Sequence, residues 1–273
     1  MQGKRGLIMG VANKNSIAWG IAQSCMDQGA SLVFTYQNDH LKSRVIALCE
    51  QHNAAGILGC DVGSDEDLDR TFTQTVDILG GLDFVLHAIA FSDKNQLRGA
   101  YVDTTRDNFS LTMDVSCYSF TAVAKRAQSV MGAGGALLTL TYLGAERYIP
   151  NYNVMGVAKA ALEASVRYLA ADLGPQGIRV NALSAGTVMT RAARGIGGFE
   201  KLLRYNEINS AMGSNVLLDQ VGNAGAYLLS DLSGGVTGEV HHVDCGYHAM
   251  GMPSVQRARE NAQWFSTVDE LDD

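Results

Sequence analysis

"GLIMGVANKNSIAWG", residues 6–20, passes from an apolar strand through a polar turn into a helical pattern. The spacing is not GxGxxG: Gly10 is followed by five residues, then Ser16, Ala18 and Gly20. Gly10 lets the chain turn away from the strand, and Ser16 stands where a helix N-cap belongs. The free N–H groups of Ser16 and Ile17 would then face an anion, aided by the helix dipole. Small residues at 18 and 20 allow the helix to pack closely on a sheet. A plain strand–turn–helix corner with a serine cap would use the same residues. Position favours the phosphate reading, because the first βα turn of a Rossmann-like chain is where a dinucleotide pyrophosphate binds.

Working outward, apolar runs at 5–10, 31–36, 55–61, 82–90, 135–143, 178–186 and 239–245 read as strands. Helical patterns lie between them at 16–29, 39–52, 65–79, 106–131, 152–173 and 219–229. Near-continuous apolar strands mean burial on both faces, as in a parallel sheet covered by helices. The expectation is an α/β chain: one Rossmann-like, doubly wound domain over 1–253, with about seven parallel strands and helices on both faces. The interval 187–215, with "RGIGG" inside it, breaks the rhythm and reads as a substrate-side loop and short helices. The polar tail 254–273 has no β-α pattern; docking on a partner subunit and a loose end are both open.

A net charge of −7 argues against a general nucleic-acid binder, since phosphate contacts need clustered Lys and Arg. Five cysteines, odd in number, scattered and without CxxC, fit reduced thiols rather than a disulfide framework. No stretch approaches the roughly 20 apolar residues of a membrane span. The start is too weakly apolar for a signal peptide. A soluble, cytoplasmic protein is expected.

The second strand ends at Gln37, where a dinucleotide site places a ribose-binding acid or a cation for a 2′-phosphate. A neutral amide can bond a ribose hydroxyl but gives a phosphate dianion little, which favours NAD(H) over NADP(H). "CDV" at 60–62 closes the third strand. Asp61 there, beside Val62, either accepts from the adenine amino group or caps the turn.

"YLGAERYIPNYNVMGVAK", 142–159, holds three tyrosines and a lysine. On a helix starting near Tyr152, residues seven apart return to nearly the same face, so Tyr152 and Lys159 share one. Common short-chain dehydrogenases carry their tyrosine four residues before the lysine. Met155 stands there, so that version of the site is absent.

The Gly10/Ser16/Ala18/Gly20 turn, "TYQND", "CDV", "LLTLTYLGAER" and "PNYNVMGVAKA" together resemble the bacterial enoyl-acyl-carrier-protein reductases, a divergent branch of the short-chain dehydrogenase/reductases. The likeness runs in order from about residue 3 to 250. It implies reduction by NADH of the trans-2 double bond of an enoyl chain on acyl carrier protein, in a homotetramer. It makes Tyr152 the donor, Lys159 its partner and binder of the nicotinamide ribose, and Tyr142 a residue beside the substrate. Hydride added to the β-carbon leaves charge on the thioester oxygen, and a phenol O–H aimed there acts as an oxyanion donor. A free phenol ionises near pH ~10. A nearby ammonium is expected to favour the phenolate and so strengthen the donor.

By the same resemblance, "HAIAFSD" sets Ile89 on the cofactor and Ser92 on the substrate, with Ala90 in place of a usual glycine. "SAGTVMTRAA", 184–193, implies cofactor contacts from Val188, Met189, Thr190, Arg191 and Ala192, with Thr187 where proline is common. "SAMGSNV" at 210–216 lacks the family's arginine pair. Arg191, Arg194, Lys201 and Arg204 against Glu200 make a basic portal, suited to an acidic carrier protein or simply a solvated helix face. Adjacent His241 and His242 point to opposite faces of a strand, and no metal is expected. The rivals are a carbonyl reductase, opposed by Met155, and a non-catalytic NAD sensor.

Overall fold

In the computed structural model, which describes residues 1–188 and 199–268 (without the side chains of 199, 200, 267 and 268), the strands form one parallel sheet. They are β1 Arg5–Met9, β2 Ser31–Tyr36, β3 Gly56–Gly59, β4 Leu82–His87, β5 Met131–Thr141, β6 Arg179–Ala185 and β7 Val240–Val243. Their order is β3-β2-β1-β4-β5-β6-β7. The helices are α1 Ile17–Asp27, α2 Asp39–Glu50, α3 Asp65–Leu79, α4 Arg106–Met113, α5 Ser119–Val130, α6 Asn153–Leu173, α7 Phe199–Asn209, α8 Leu218–Leu229 and α9 Val255–Val268.

Alternation along the strands explains the layers. Leu7 and Met9 join one buried cluster with Phe72, Phe120 and Leu162, while Ile8 joins the opposite one with Trp19, Ile21 and Val221. Successive side chains point to opposite faces, so a strand covered on both sides must be apolar throughout. Helices α3, α5 and α6 cover one face, and α1, α2 and α8 the other. The sequence direction reverses between β1 and β4, and at such a switch point open α/β sheets leave a crevice outside the carboxyl ends of the strands.

Two stretches depart from the sequence reading. The single helix expected over 106–131 is α4 and α5 joined by a π-helical turn at Asp114–Tyr118. The polar tail contains α9, which packs on α7 of the same chain. Asn209 and Asn261 exchange amide hydrogen bonds of 3.0 and 2.9 Å, and the Tyr205 and Phe265 rings lie 6.3 Å apart. Among the described residues no helix is long and apolar enough to cross a membrane.

Candidate active site

The first turn is built as a cradle, though not with the donors expected. Gly10 has φ +103°, and a Cβ there would run into the Ala88 carbonyl that follows β4, so only glycine fits. Ser16 does not cap α1. Its Oγ accepts the N–H groups of Ala12 and Asn13, both at 3.1 Å, and its own N–H donates to the Asn13 carbonyl at 3.0 Å. The Ser16 N–H is therefore occupied, a correction to the expectation above. The donors left without an intrahelical acceptor in the first turn of α1 are those of Ile17 and Ala18, with the Ser16 hydroxyl proton beside them. This set fits a pyrophosphate.

Gln37 is exposed at the end of β2, 3.5 Å from the Asn38 amide, and Lys42 turns away over the Tyr36 ring. Asp61, also exposed, accepts the Gly63 N–H at 3.1 Å, so one carboxylate oxygen caps the turn; Val62 is buried beside it. Ile89 is half-buried in the segment after β4. Ser92 departs from its expected place against substrate. It is buried, its Oγ accepts from Asn108 at 3.2 Å and from Thr112 at 2.9 Å, and it braces this segment onto α4.

Sequence reasoning missed that bracing. Ser116 grips both backbone groups of Phe91 at 2.9 Å, and Ser119 meets the buried His87 imidazole at 2.8 Å. Burial pushes His87 down to about 3, so it is neutral and packs as a fixed polar strut. The signal was the recurrence of short polar side chains at 108, 112, 116 and 119, one helix face.

Tyr152 immediately precedes α6 and lies between two asparagines at positive φ, Asn151 at 61° and Asn153 at 40°. Asparagine tolerates this region better than other side-chain-bearing residues. Asn153 ties the helix start to the carbonyls of Leu97 and Gly99, each at 3.1 Å. The Tyr152 ring meets the Tyr142 ring edge to face, with centroids 5.1 Å apart. Met155, in the alternative tyrosine position, is buried.

Lys159 is buried and donates to the Leu140 carbonyl at 2.8 Å. Burial lowers its ammonium to about 8, opposed by Cys117 and Glu163. Glu163, one turn on, is pushed up by burial and accepts from Thr141 at 2.6 Å. The expectation that the lysine draws Tyr152 toward the phenolate is overturned. Burial first, then Tyr142 and Glu163, hold the Tyr152 phenol well above its ordinary value. The geometry therefore supplies a neutral O–H donor. The Tyr142 hydroxyl is buried without a hydrogen bond, and burial raises its phenol too.

Val188 packs at the edge of the core after β6. Met189, Thr190, Arg191 and Ala192 lie outside the described residues, as does Arg194 of the expected portal. Arg204, from the same stretch, ion-pairs with Glu207 at 2.8 Å, which reduces the local positive excess.

Comparison with known proteins agrees with this arrangement. The family model described as "Enoyl-(Acyl carrier protein) reductase" matches residues 10–248. A Rhizobium meliloti protein named enoyl-[acyl-carrier-protein] reductase [NADH] 1 is 59% identical over 255 residues, spanning 93% of this chain and 94% of that one. A solved reductase from Anaplasma phagocytophilum, in complex with NAD, superposes with a TM-score of 0.88 at 52% identity, over 93% of this chain and 95% of that one. The Bacillus cereus reductase, solved with NADP+ and indole naphthyridinone, gives a TM-score of 0.90 at 49% identity, over 92% and 98%. By sequence, by fold and by the tyrosines gathered at the carboxyl ends of its strands, the chain belongs to the enoyl-(acyl carrier protein) reductase family.

Proposed function

We propose that the chain reduces the trans-2 double bond of an enoyl thioester carried on acyl carrier protein, using NADH, in cytoplasmic fatty-acid synthesis. The observation that carries this is the neutral Tyr152 phenol beside Tyr142, with Met155 where a carbonyl-reducing relative would hold its tyrosine. When bound, NADH supplies the hydride that reaches the β-carbon. Negative charge then develops on the thioester oxygen, and Tyr152 stabilises that enolate by donating its O–H in a site shielded from water. A phenol held above its ordinary value is well suited, because it remains a donor at every physiological pH.

Lys159 has three N–H donors and uses one on Leu140, leaving two for the ribose hydroxyls. Gly10, Ser16, Ile17 and Ala18 suit the pyrophosphate, and Gln37, Asp61, Val62, Ile89 and Val188 line the rest of the proposed path. Preference for NADH is supported by the exposed, uncharged Gln37 and by the relatives' names. Homotetramer assembly is supported by the exposed Phe109, Tyr118 and Tyr168 on the α4 to α6 side.

The test is NADH oxidation with a crotonyl thioester, in the wild type and in Tyr152→Phe and Lys159→Ala. Loss of turnover in both variants is expected. A wild type that leaves enoyl thioesters untouched while reducing ketones would sink the reading.

A further inference from the structure

Two unpaired buried atoms lie on the inner side of α7: the Tyr142 hydroxyl and the Asn206 Oδ1. Leaving a buried polar group unpaired is costly, so two acting at one place need a reason. Between them is Thr187, just past β6. Thr187 and Asn206 are 6% and 4% exposed, and Asn206 Nδ2 donates to Thr187 Oγ1. That bond has a direction. With its oxygen accepting from the amide, the threonine hydroxyl still has its own proton to give. Thr187 and Asn206 are the polar side chains that favour ionisation of the Tyr142 phenol, as donors aimed at its oxygen do; burial and the Asp244 carboxylate oppose it.

We infer that Thr187 and Asn206 are positioning residues for Tyr142: Asn206 orients the Thr187 hydroxyl, Thr187 donates to Tyr142 Oη, and the phenol proton is left pointing at the acyl thioester. The inference deepens the proposed function and rests on it. It also gives α7 a task, because Asn206 is the residue through which that helix reaches Tyr142. A proline at 187 would have no hydroxyl to give.

Thr187→Val removes the donor without changing shape, and Thr187→Ser restores it. Asn206→Asp replaces the amide donor by an acceptor, so Thr187 would turn its proton to the carboxylate and leave Tyr142 without one. Thr187→Val and Asn206→Asp are expected to lower kcat about tenfold, the value of one such hydrogen bond, with KM changed less than about twofold. Thr187→Ser should match the wild type. In a Tyr142→Phe background Thr187→Val should have no further effect, because it acts through the missing hydroxyl. An equal loss in both backgrounds, or no loss in the wild type, would overturn the inference.

A second measurement does not need turnover. In protein labelled with 3-fluorotyrosine, the Tyr142 resonance, assigned by its loss in Tyr142→Phe, should titrate at higher pH in Thr187→Val than in the wild type. An unmoved titration refutes the positioning. Failure of the wild type on enoyl thioesters would instead refute the proposed function, while the fluorine titration still decides this point.

Discussion

The ring of Tyr152 lies against the Cα of Gly144, in the space that a methyl group on that carbon would occupy. Gly156, one turn into α6, closes the other side: a Cβ there would stand 2.7 Å from the Gly144 carbonyl. Two glycines on different elements therefore set where the site phenol sits.

Gly144→Ala should push the ring off its seat. A displacement of ~1 Å in a reacting group can cost about a hundredfold in rate, and overpacking typically costs about 1–3 kcal/mol. We expect kcat to fall by about ten- to a hundredfold, with a lower urea midpoint. Steady-state kinetics and unfolding on the same preparation check both, and an unchanged kcat would show that the ring has other room.

Tyr142→Phe separates activity from stability. Its hydroxyl is buried without a hydrogen bond, so removing it breaks none in the unliganded chain. Stability should hold or rise by about 1 kcal/mol, while kcat falls. A clear loss of stability would mean that the hydroxyl supports the fold.

Lys159 gives a pH dependence of definite sign. Its folded value is lowered from 10.5 to about 8 by burial. Between those values the unfolded chain holds a proton that the folded chain has lost, so stability rises with pH across the window. The burial cost is present in full below about 8. Relative to Lys159→Met, the wild type should gain about 2 kcal/mol between pH ~7.5 and ~10, from about 1.4 kcal/mol per unit. Urea unfolding at both pH values tests this, and parallel curves for the two proteins would refute it.

Gln37→Arg should shift the cofactor preference. A guanidinium at the exposed end of β2 can pair with a 2′-phosphate, and a charge-assisted hydrogen bond is worth about 1.5–3 kcal/mol. The KM for NADPH is expected to fall about tenfold or more, with the NADH value moving far less. Equal shifts for both cofactors would place the 2′-position elsewhere.

The sheet was readable because strands buried on both faces leave long apolar runs, and Gly10 was readable because its turn admits no side chain. Tyr152 and Lys159 were paired correctly to one helix by spacing. The influence of the lysine on the phenol was not, because burial is a tertiary property that outweighs a neighbouring charge. Ser92 lies in an irregular segment, where no period tells which way a side chain points. Ser16 could cap either the helix or the turn with the same hydroxyl, and only the backbone path decides. Asn206 and Thr187 are 19 residues apart and meet only after α7 folds back.

The π-helical turn at Asp114–Tyr118 has a consequence for how this region can change. Asn108, Thr112, Ser116 and Ser119 all hold the segment from His87 to Ser92. In a plain α-helix, steps of four residues drift around the axis; a wider turn keeps 112 and 116 in line. The shape of that segment is thus specified by a length of chain elsewhere. Removing one residue between 114 and 118 would rotate all that follows by roughly 100° and carry Ser119 away from His87, with every remaining side chain intact. Evolution along this stretch is free to exchange residues but not to count them differently.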